Sequence, residues 1–600
     1  MKQQSIPQPD DPKNIKLVSL NDEELTVNKI IAVTRHFARV EPFTGPKRKK
    51  VEEMRKYVEE HWFNDSAQPR YGFNTGIGSL KNVKISQENI EKFQELYVKS
   101  HSVGVGDPLD VEIVRGAMLL QSNALAKGYS GVRAEIIDKL IEMLNKRIHP
   151  VVPEQGSLGA SGDLAPLTHI TSVLAGEDEA EVWVSMERQK VKNLKFSDEV
   201  LKFFHNGEEV TFQTIRLQGK EAVSLTNSTA MMLSMAVHLI YDVEILLKNA
   251  DISAALSLEA MMCEKDAFSE DLHNLRNQVG QINTADNIRN MIHNSKRMSP
   301  EARLAYFQYI TEKQFKKDSE LENSVVLLKK YMRDHEFEKD RVQDAYSLRC
   351  VPQVHGACKD AFHFVKNIVE REIRAVTDNP VIFLDKNGAG YKIKSGGNFH
   401  GEPLALAMDY LGIALAEIGS ISERRLYRLL SPSMNFGLPR NLSGGEIGLN
   451  TGYMIVQYTA AQLVSENKIL AHPASVDTIP TSDNQEDHVS MGLTAARKAQ
   501  NIEQNVQYLI AMEYLCAIQG LHLSCQYESV SLEKFPLGRG SAAAFEFIRK
   551  FKVESLDKTH YPFQLMKEDE YLQTKIETMQ KLSSEGVIVK AVEKELELFV

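Results

Sequence analysis

Apolar residues recur at three- and four-residue spacing in ENIEKFQELYVKSH and VRAEIIDKLIEMLNKRIHP, a period that predicts amphipathic helices from Leu25 to about Arg147. Farther along, the pattern changes character. EAVSLTNSTAMMLSMAVHLIYDVEILL, GEPLALAMDYLGIALAEIGSISERR and LNTGYMIVQYTAAQLVSENKILAHP are apolar nearly all round. A helix that is apolar on every face must be covered on every face, so these stretches predict a central bundle. Residues from Glu179 to Thr214 break the helical period with β-prone pieces, AEVWVSM and EVTFQTI, that predict a small hairpin at the surface. The expected fold is mainly α, a long-helix bundle with a small β-containing surface region.

The same pattern divides the chain. Residues 1–24 are polar and Pro-containing and are expected to form a flexible arm. An N-terminal region follows over 25–220, then the central bundle over 221–530, then shorter amphipathic helices over 531–600. Within the bundle, residues 301–340 are densely charged and read as a solvated helical excursion.

Composition narrows the function. Of 600 residues, 42% are hydrophobic and 25% charged, and the formal charge of −10 is spread along the chain with no basic block to attract nucleic acid. There is no uninterrupted apolar run of about 18 residues, and MKQQSIPQPDDPKN lacks an apolar core. A cytoplasmic protein with no membrane partner is expected. Five cysteines without a CxxC pair suit reduced thiols better than disulfides or structural zinc.

Polar residues stand close to the most apolar segments: Asn227 in SLTNSTAMM, Tyr346 and Arg349 in QDAYSLRCVPQ, Asn398 and His400 in GGNFHGEP, and Glu466 in LVSENKILAHP. Each would cost roughly 1–3 kcal/mol if buried without a partner, so together they point to a binding site. Arg349 offers a planar fork suited to a carboxylate. Asp487 and His488 are too few for a metal, and none is expected. The stretch GSLGASGDLAP, from Gly156 to Pro166, reads locally as a turn before a helix capped by Ser161 or Asp163.

YGFNTGIGS, GSLGASGDLAP, QDAYSLRCVPQV, TDNPVIF, SGGNFHGEP and AHPASVDTIPTSDNQEDHVSMG, in that order between about residues 25 and 530, resemble the aromatic amino acid ammonia-lyases and aminomutases. The resemblance implies a fumarase/aspartase-like helix bundle assembled as a homotetramer. It also implies that Ala160-Ser161-Gly162 cyclise into methylidene-imidazolone, an electrophile made from the backbone. The amide nitrogen of Gly162 must then reach the carbonyl carbon of Ala160, and Ser161 must lose its hydroxyl as water. Small residues and a glycine permit so tight a turn.

By the same resemblance, Tyr71 is the base, Tyr346 bridges substrate and prosthetic group, and Arg349 anchors the substrate carboxylate. Gln343 and Asn227 orient the ring and substrate, Phe399 packs near the ring, and Asp163 assists dehydration. Nearby cations or glycine-loop amides are expected to lower the phenol of Tyr71 below its usual value near 10. His101, after Ser100, and Glu466 look most like the histidine enzymes, in which the carboxylate faces an imidazole. The implied reaction is elimination of ammonia from L-histidine to give urocanate. Tyrosine or phenylalanine lyases and aromatic aminomutases remain alternatives, because His101 occurs in tyrosine enzymes too, as does a catalytically inactive helical scaffold. Two departures from the family pattern stand out: Asn227-Ser228-Thr229-Ala230, where Asn-Gly-Thr is usual, and Ala345, where histidine enzymes commonly have proline.

Overall fold

The computed structural model describes residues 11–313 and 342–600, apart from 22, 386, 389 and 555–558. The chain folds into two compact units. One holds Met1–Tyr241, Val365–Asp409 and Pro473–Lys498, and the other holds Asp242–Phe364, Tyr410–His472 and Ala499–Val600. These are not the consecutive regions expected from sequence. Most divisions fall inside long helices, Ala230–Ala260, Val351–Ile373, Glu402–Leu430 and Gly492–Cys525, and a helix interior carries no compositional mark of a boundary.

In the first unit, local sequence explains the helices directly. Val27–Thr34 begins where the Thr26 hydroxyl accepts the Lys29 amide. Ala134–Asn145 buries Ile136, Ile137, Leu140, Ile141 and Leu144, the single stripe its period predicts. Leu164–Ala175 stops at Gly176, which takes the left-handed conformation at φ 75°. The expected β region is present and larger than one hairpin. Glu181–Val184 pairs with Glu187–Lys190, and Lys195–Ser197, Val200–His205 and Glu208–Gln213 form a three-stranded antiparallel sheet. Its turn is Asn206-Gly207, both at positive φ, which fits the twist of a tight hairpin.

The expected loose arm is packed where it is described. Leu17–Val18 pairs in parallel with Arg39–Val40, and Val18 and Leu20 are each 1% exposed, so two apolar side chains suffice to hold it. Residues 1–10 lie outside the described residues. The excursion also begins as core: in Pro300–Lys313, Ala302, Tyr306 and Ile310 are buried at helical spacing despite the charges between them. The rest of it, 314–341, lies outside the described residues.

Three helices were expected to be covered on all faces. Ala230–Ala260 largely is, but Glu402–Leu430 leaves Leu406, Tyr410 and Ile413 exposed. Met454–Leu470 buries only Val456, Ala460 and Asn467, leaving Ile455, Tyr458 and Ile469 open. Among the described residues of one chain, nothing covers these faces. Among the described residues, Glu221–Ala260 and Glu402–Leu430 are long and apolar enough to cross a membrane. Their most apolar windows are 78% and 67% buried within the protein, as core helices are.

The second unit is locked by buried charge. Arg425 and Glu513, both fully buried, pair at 2.6 and 2.8 Å, and Ser257 and Ser422 also donate to the carboxylate. Nearby in sequence, Asp251 accepts from Lys359, Asn287 and His355. Removing one member of a buried pair strands the other charge, which costs about 3–5 kcal/mol. Glu513→Gln is therefore expected to lower the unfolding free energy by about that much in urea titrations, and a loss under about 1 kcal/mol would contradict the stated role of the pair.

Candidate active site

The loop that precedes Leu164–Ala175 is shaped by backbone contact. Gly159 and Gly162 both stand at φ 71°, and bridging contacts join Gly159 to Gly162 and Ala160 to Gly162, folding the three small residues back on themselves. A Cβ on Gly162 would lie 2.2 Å from the Ser228 carbonyl oxygen, and one on Gly159 would lie 2.1 Å from the Ser490 hydroxyl. At Gly162 the obstacle is backbone and leaves room for glycine alone, whereas at Gly159 it is a side chain and the positive φ is what favours glycine. Ser228 itself avoids the left-handed region, so serine substitutes for the family's usual glycine without strain. Its hydroxyl is within bonding distance of that of Thr377, at 2.9 Å.

Asp163 occupies the cap position of the following helix but does not cap it, nor does Ser161. Its amide donates to the Ser228 carbonyl at 2.8 Å, while its carboxyl accepts from the Met232 amide at 2.8 Å and the Ser157 hydroxyl at 3.1 Å. Complete burial pushes the carboxyl up to about 7, against those hydrogen bonds, which favour the charged form. The side chain thus pins the loop to the start of the helix Ala230–Ala260.

The loop opens on a cavity of about 760 Å³ whose lining comes wholly from the first unit and includes Tyr71, His101, Ala160, Ser161, Asn227 and Phe399. The structure therefore gathers six of the expected site residues around one space, with Gly162 holding the turn behind them. The Tyr71 hydroxyl accepts the Gly78 amide at 3.2 Å. That amide favours the phenolate, as expected of a glycine-rich loop, but burial outweighs it and the Glu486 carboxylate adds to the burial, so Tyr71 stands above its ordinary value and not below it. The expectation of a lowered phenol is corrected for the chain by itself.

His101 stacks on Tyr97 at 3.9 Å, and its Nδ1 lies 2.9 Å from the Tyr97 carbonyl. The Ser100 hydroxyl lies 2.9 Å from the same Nδ1; the tautomer in which Nδ1 donates to the carbonyl leaves Nε2 as an acceptor, and burial holds the ring's pKa low. Asn227 donates to the Asn379 carbonyl at 2.9 Å, and its Oδ1, buried, has no partner among the described residues. The Asn379 backbone is braced by its neighbour Asp378, which takes both an ion pair from fully buried Lys220 and a hydrogen bond from Ser224.

Four expected site residues belong to the second unit and do not line this cavity: Gln343, Tyr346, Arg349 and Glu466. Tyr346 is 73% exposed, with the Arg349 guanidinium 4.6 Å from its ring centre. Arg349 Nε is buried and has no partner among the described residues. Glu466, exposed on Met454–Leu470, accepts from Gln462 at 2.8 Å and makes no pair with Lys468. Ala345 takes φ −65° and ψ 159°, a conformation that proline would share, so this departure leaves the backbone unchanged.

Glu486 escaped the sequence reading. It lies inside the NQEDH run, where Asp487 and His488 drew attention as metal ligands, yet its Oε1 accepts the Ser161 hydroxyl at 3.2 Å. His488 also lines the cavity, its ring 5.9 Å from that of His400.

A model of the aromatic amino acid lyase family matches residues 25–550. The chain is 42% identical over 549 residues to histidine ammonia-lyase 2 of Fusobacterium nucleatum, covering 91% of this chain and 94% of that one. It is 41% identical over 584 residues to the histidine ammonia-lyase of Alkaliphilus oremlandii, covering 97% and 100%. Among solved structures, histidine ammonia-lyase from Trypanosoma cruzi matches with a TM-score of 0.77 at 30% identity, covering 97% of this chain and 96% of that one. A tyrosine aminomutase from Streptomyces globisporus matches with a TM-score of 0.80 at 30% identity, covering 97% and 100%.

The buried carboxyl of Asp163 carries a pH signature. Its folded value of about 7 stands above the 3.8 of the free group, so the folded chain holds the proton longer. The resulting stabilisation is complete below about pH 4 and is lost as pH climbs to about 7. Asp163→Asn removes this dependence. Between pH 4 and 8 the stability of the variant should rise relative to the parent by a few kcal/mol, up to about 4, in parallel urea titrations. A constant difference across that range would show that Asp163 is ionised throughout.

Proposed function

Because the chain belongs to the aromatic amino acid lyase family, we propose that it eliminates ammonia from L-histidine to give urocanate, in a homotetramer whose neighbouring copies complete each cavity. The observation that carries this reading is the Ala160-Ser161-Gly162 turn facing one cavity with Tyr71 and His101. The family comprises carbon–nitrogen lyases built on a helical fumarase-like fold. Identity of about 40% over nearly the whole chain to several histidine ammonia-lyases supports histidine as the substrate.

The loop suits cyclisation: Gly162 has no room for a side chain, Ala160 bridges to it, and Ser161 exposes its hydroxyl to the cavity. Once formed, the ring supplies an electrophile that turns the substrate's amino group into a better leaving group. The remaining work belongs to side chains. Tyr71 takes the β-hydrogen. The Gly78 amide is already placed to stabilise its phenolate. The open Nε2 of His101 suits an N–H donor of the imidazole, and the unpartnered Oδ1 of Asn227 supplies another acceptor in the same space.

Among the described residues no arginine lines the cavity, and Lys81, which does, is engaged by Gln485. Arg349, with Gln343, Tyr346 and Glu466, is proposed to reach the cavity from neighbouring copies. The exposed apolar residues Ile455, Tyr458 and Ile469 on the helix that bears Glu466 support burial between chains. All five cysteines are free thiols, which suits the cytoplasm.

Purified protein offered histidine, tyrosine and phenylalanine should release urocanate from histidine. Glu466→Ala should lower kcat/KM for histidine by roughly 10²- to 10⁴-fold, since a site built to hydrogen-bond one substrate group suffers most when that contact is lost. Turnover of tyrosine alone, or recovery of a β-amino acid, would overturn the assignment of substrate or of reaction.

A shared site makes a second prediction. Homotetramers of Tyr71→Phe and of Arg349→Ala should each be nearly inactive. Co-expressed, they should form mixed tetramers in which some sites receive Tyr71 from one copy and Arg349 from another, and activity should partly return. No recovery despite proven mixed assembly would refute the sharing.

A further inference from the structure

Tyr97 links two of the groups proposed to read the substrate. It is buried, lines the cavity, and lies on the helix Ile90–His101, whose last residue is His101. Beside it runs the short helix Glu221–Thr226, which ends at Asn227. Two side chains join these helices. Buried Gln94 accepts the Ala222 amide at 3.0 Å, one of the amides that a helix start leaves open, and the Tyr97 hydroxyl lies 2.8 Å from that of Thr226. The Thr226 hydroxyl gives its single proton to the Ala222 carbonyl at 3.0 Å, so Tyr97 is the donor between them. Burial raises the phenol above its ordinary value, which keeps that proton in place.

The ring of Tyr97 is also the floor on which His101 rests. The two rings stack with centres 3.9 Å apart and planes at 15°, and the Tyr97 backbone carbonyl lies 2.9 Å from His101 Nδ1. An imidazole held by one hydrogen bond still swings about that contact. A flat ring beneath it removes the swing, so the carbonyl fixes one edge, the stack fixes the plane, and one residue sets where Nε2 lies. The floor is itself anchored, by the Thr226 bond at the hydroxyl and by the Phe93 ring 6.3 Å away. Because Thr226 adjoins Asn227, the same anchor ties the placement of His101 to that of the Asn227 amide.

We propose that Tyr97 is a positioning residue for substrate choice: it holds the His101 ring in the plane that offers Nε2 to an N–H donor, in register with Asn227, and so favours an imidazole over a plain aromatic ring. This rests on reading His101 as the imidazole contact of an ammonia-lyase cavity.

The test compares two inhibitors that lack the amino group, 3-(imidazol-4-yl)propionate and 3-phenylpropionate, on the whole enzyme acting on whichever amino acid the parent deaminates. In Tyr97→Leu the imidazole compound should bind about five- to twentyfold more weakly, the loss expected when a hydrogen bond and the ring contact behind it both slacken, while the phenyl compound stays within about twofold. Tyr97→Phe keeps the ring and loses its anchor, and Thr226→Val removes the same bond from the other side. Both should fall between the parent and Tyr97→Leu, and they carry the test if the leucine variant does not fold. A role in packing alone would weaken both inhibitors together. An unchanged ratio of the two constants in Tyr97→Leu, equal weakening of both, a loss in Tyr97→Phe as large as in Tyr97→Leu, or an unchanged ratio in both Tyr97→Phe and Thr226→Val would each overturn the proposal. His101→Phe tests the reading beneath it. If that variant leaves the imidazole constant unchanged, the contact assigned to His101 fails and the role of Tyr97 with it, whereas weakening in His101→Phe without weakening in Tyr97→Leu rejects Tyr97 alone.

Discussion

The site depends on one close approach of backbone to backbone. Gly162 lies so near the peptide of Ser228 that a single added carbon would stand 2.2 Å from its carbonyl oxygen, and the amide of the next residue, Asp163, donates to that same oxygen. The contact forces the chain to turn at Gly162 and gives Ala160 and Ser161 their placement. Asp163, buried behind them, ties the turn to Met232, so the loop is anchored to a long helix and not left to loop flexibility. A reaction between neighbouring backbone atoms needs such confinement more than it needs any added catalytic group.

Several polar groups of the expected site are left incomplete among the described residues of one chain: Oδ1 of Asn227 and Nε of Arg349 are buried and have no partner there, and Tyr346 is mostly exposed. Such buried atoms normally find partners in a finished protein. In the proposed assembly they do so on substrate and across chains, which also covers the apolar faces that Glu402–Leu430 and Met454–Leu470 leave open. The apolar faces left open and the polar atoms left without partners among the described residues then have one proposed explanation.

Much of this was legible in the chain. Periodicity identified the helices because one apolar stripe per helix, as in Ala134–Asn145, is a local property. The Asn206-Gly207 turn marked its hairpin for the same reason. The division into units was not legible, since it passes through helix interiors, and neither was the packing of Val18, which depends on a pairing with Val40 that no local pattern reveals. Tyr71 stands out in sequence by its motif and lines the cavity, but the sign of its shift turned on burial and on Glu486, both consequences of tertiary placement. Glu486 was hidden because, in sequence, a glutamate in NQEDH is one more charge on a loop; only the fold brings it to Ser161.

If the Gly162 contact makes the backbone of this loop react with itself, the reaction must leave its mark on the mass of the loop. The decisive comparison is mass spectrometry of the proteolytic peptide that contains residues 156–166, in the parent and in Gly162→Ala. The parent peptide should be two waters lighter than encoded, and the alanine peptide should have its full encoded mass in protein that is still folded by circular dichroism. A parent peptide of full mass, or an alanine peptide equally lightened, would show that the contact does not drive the chemistry.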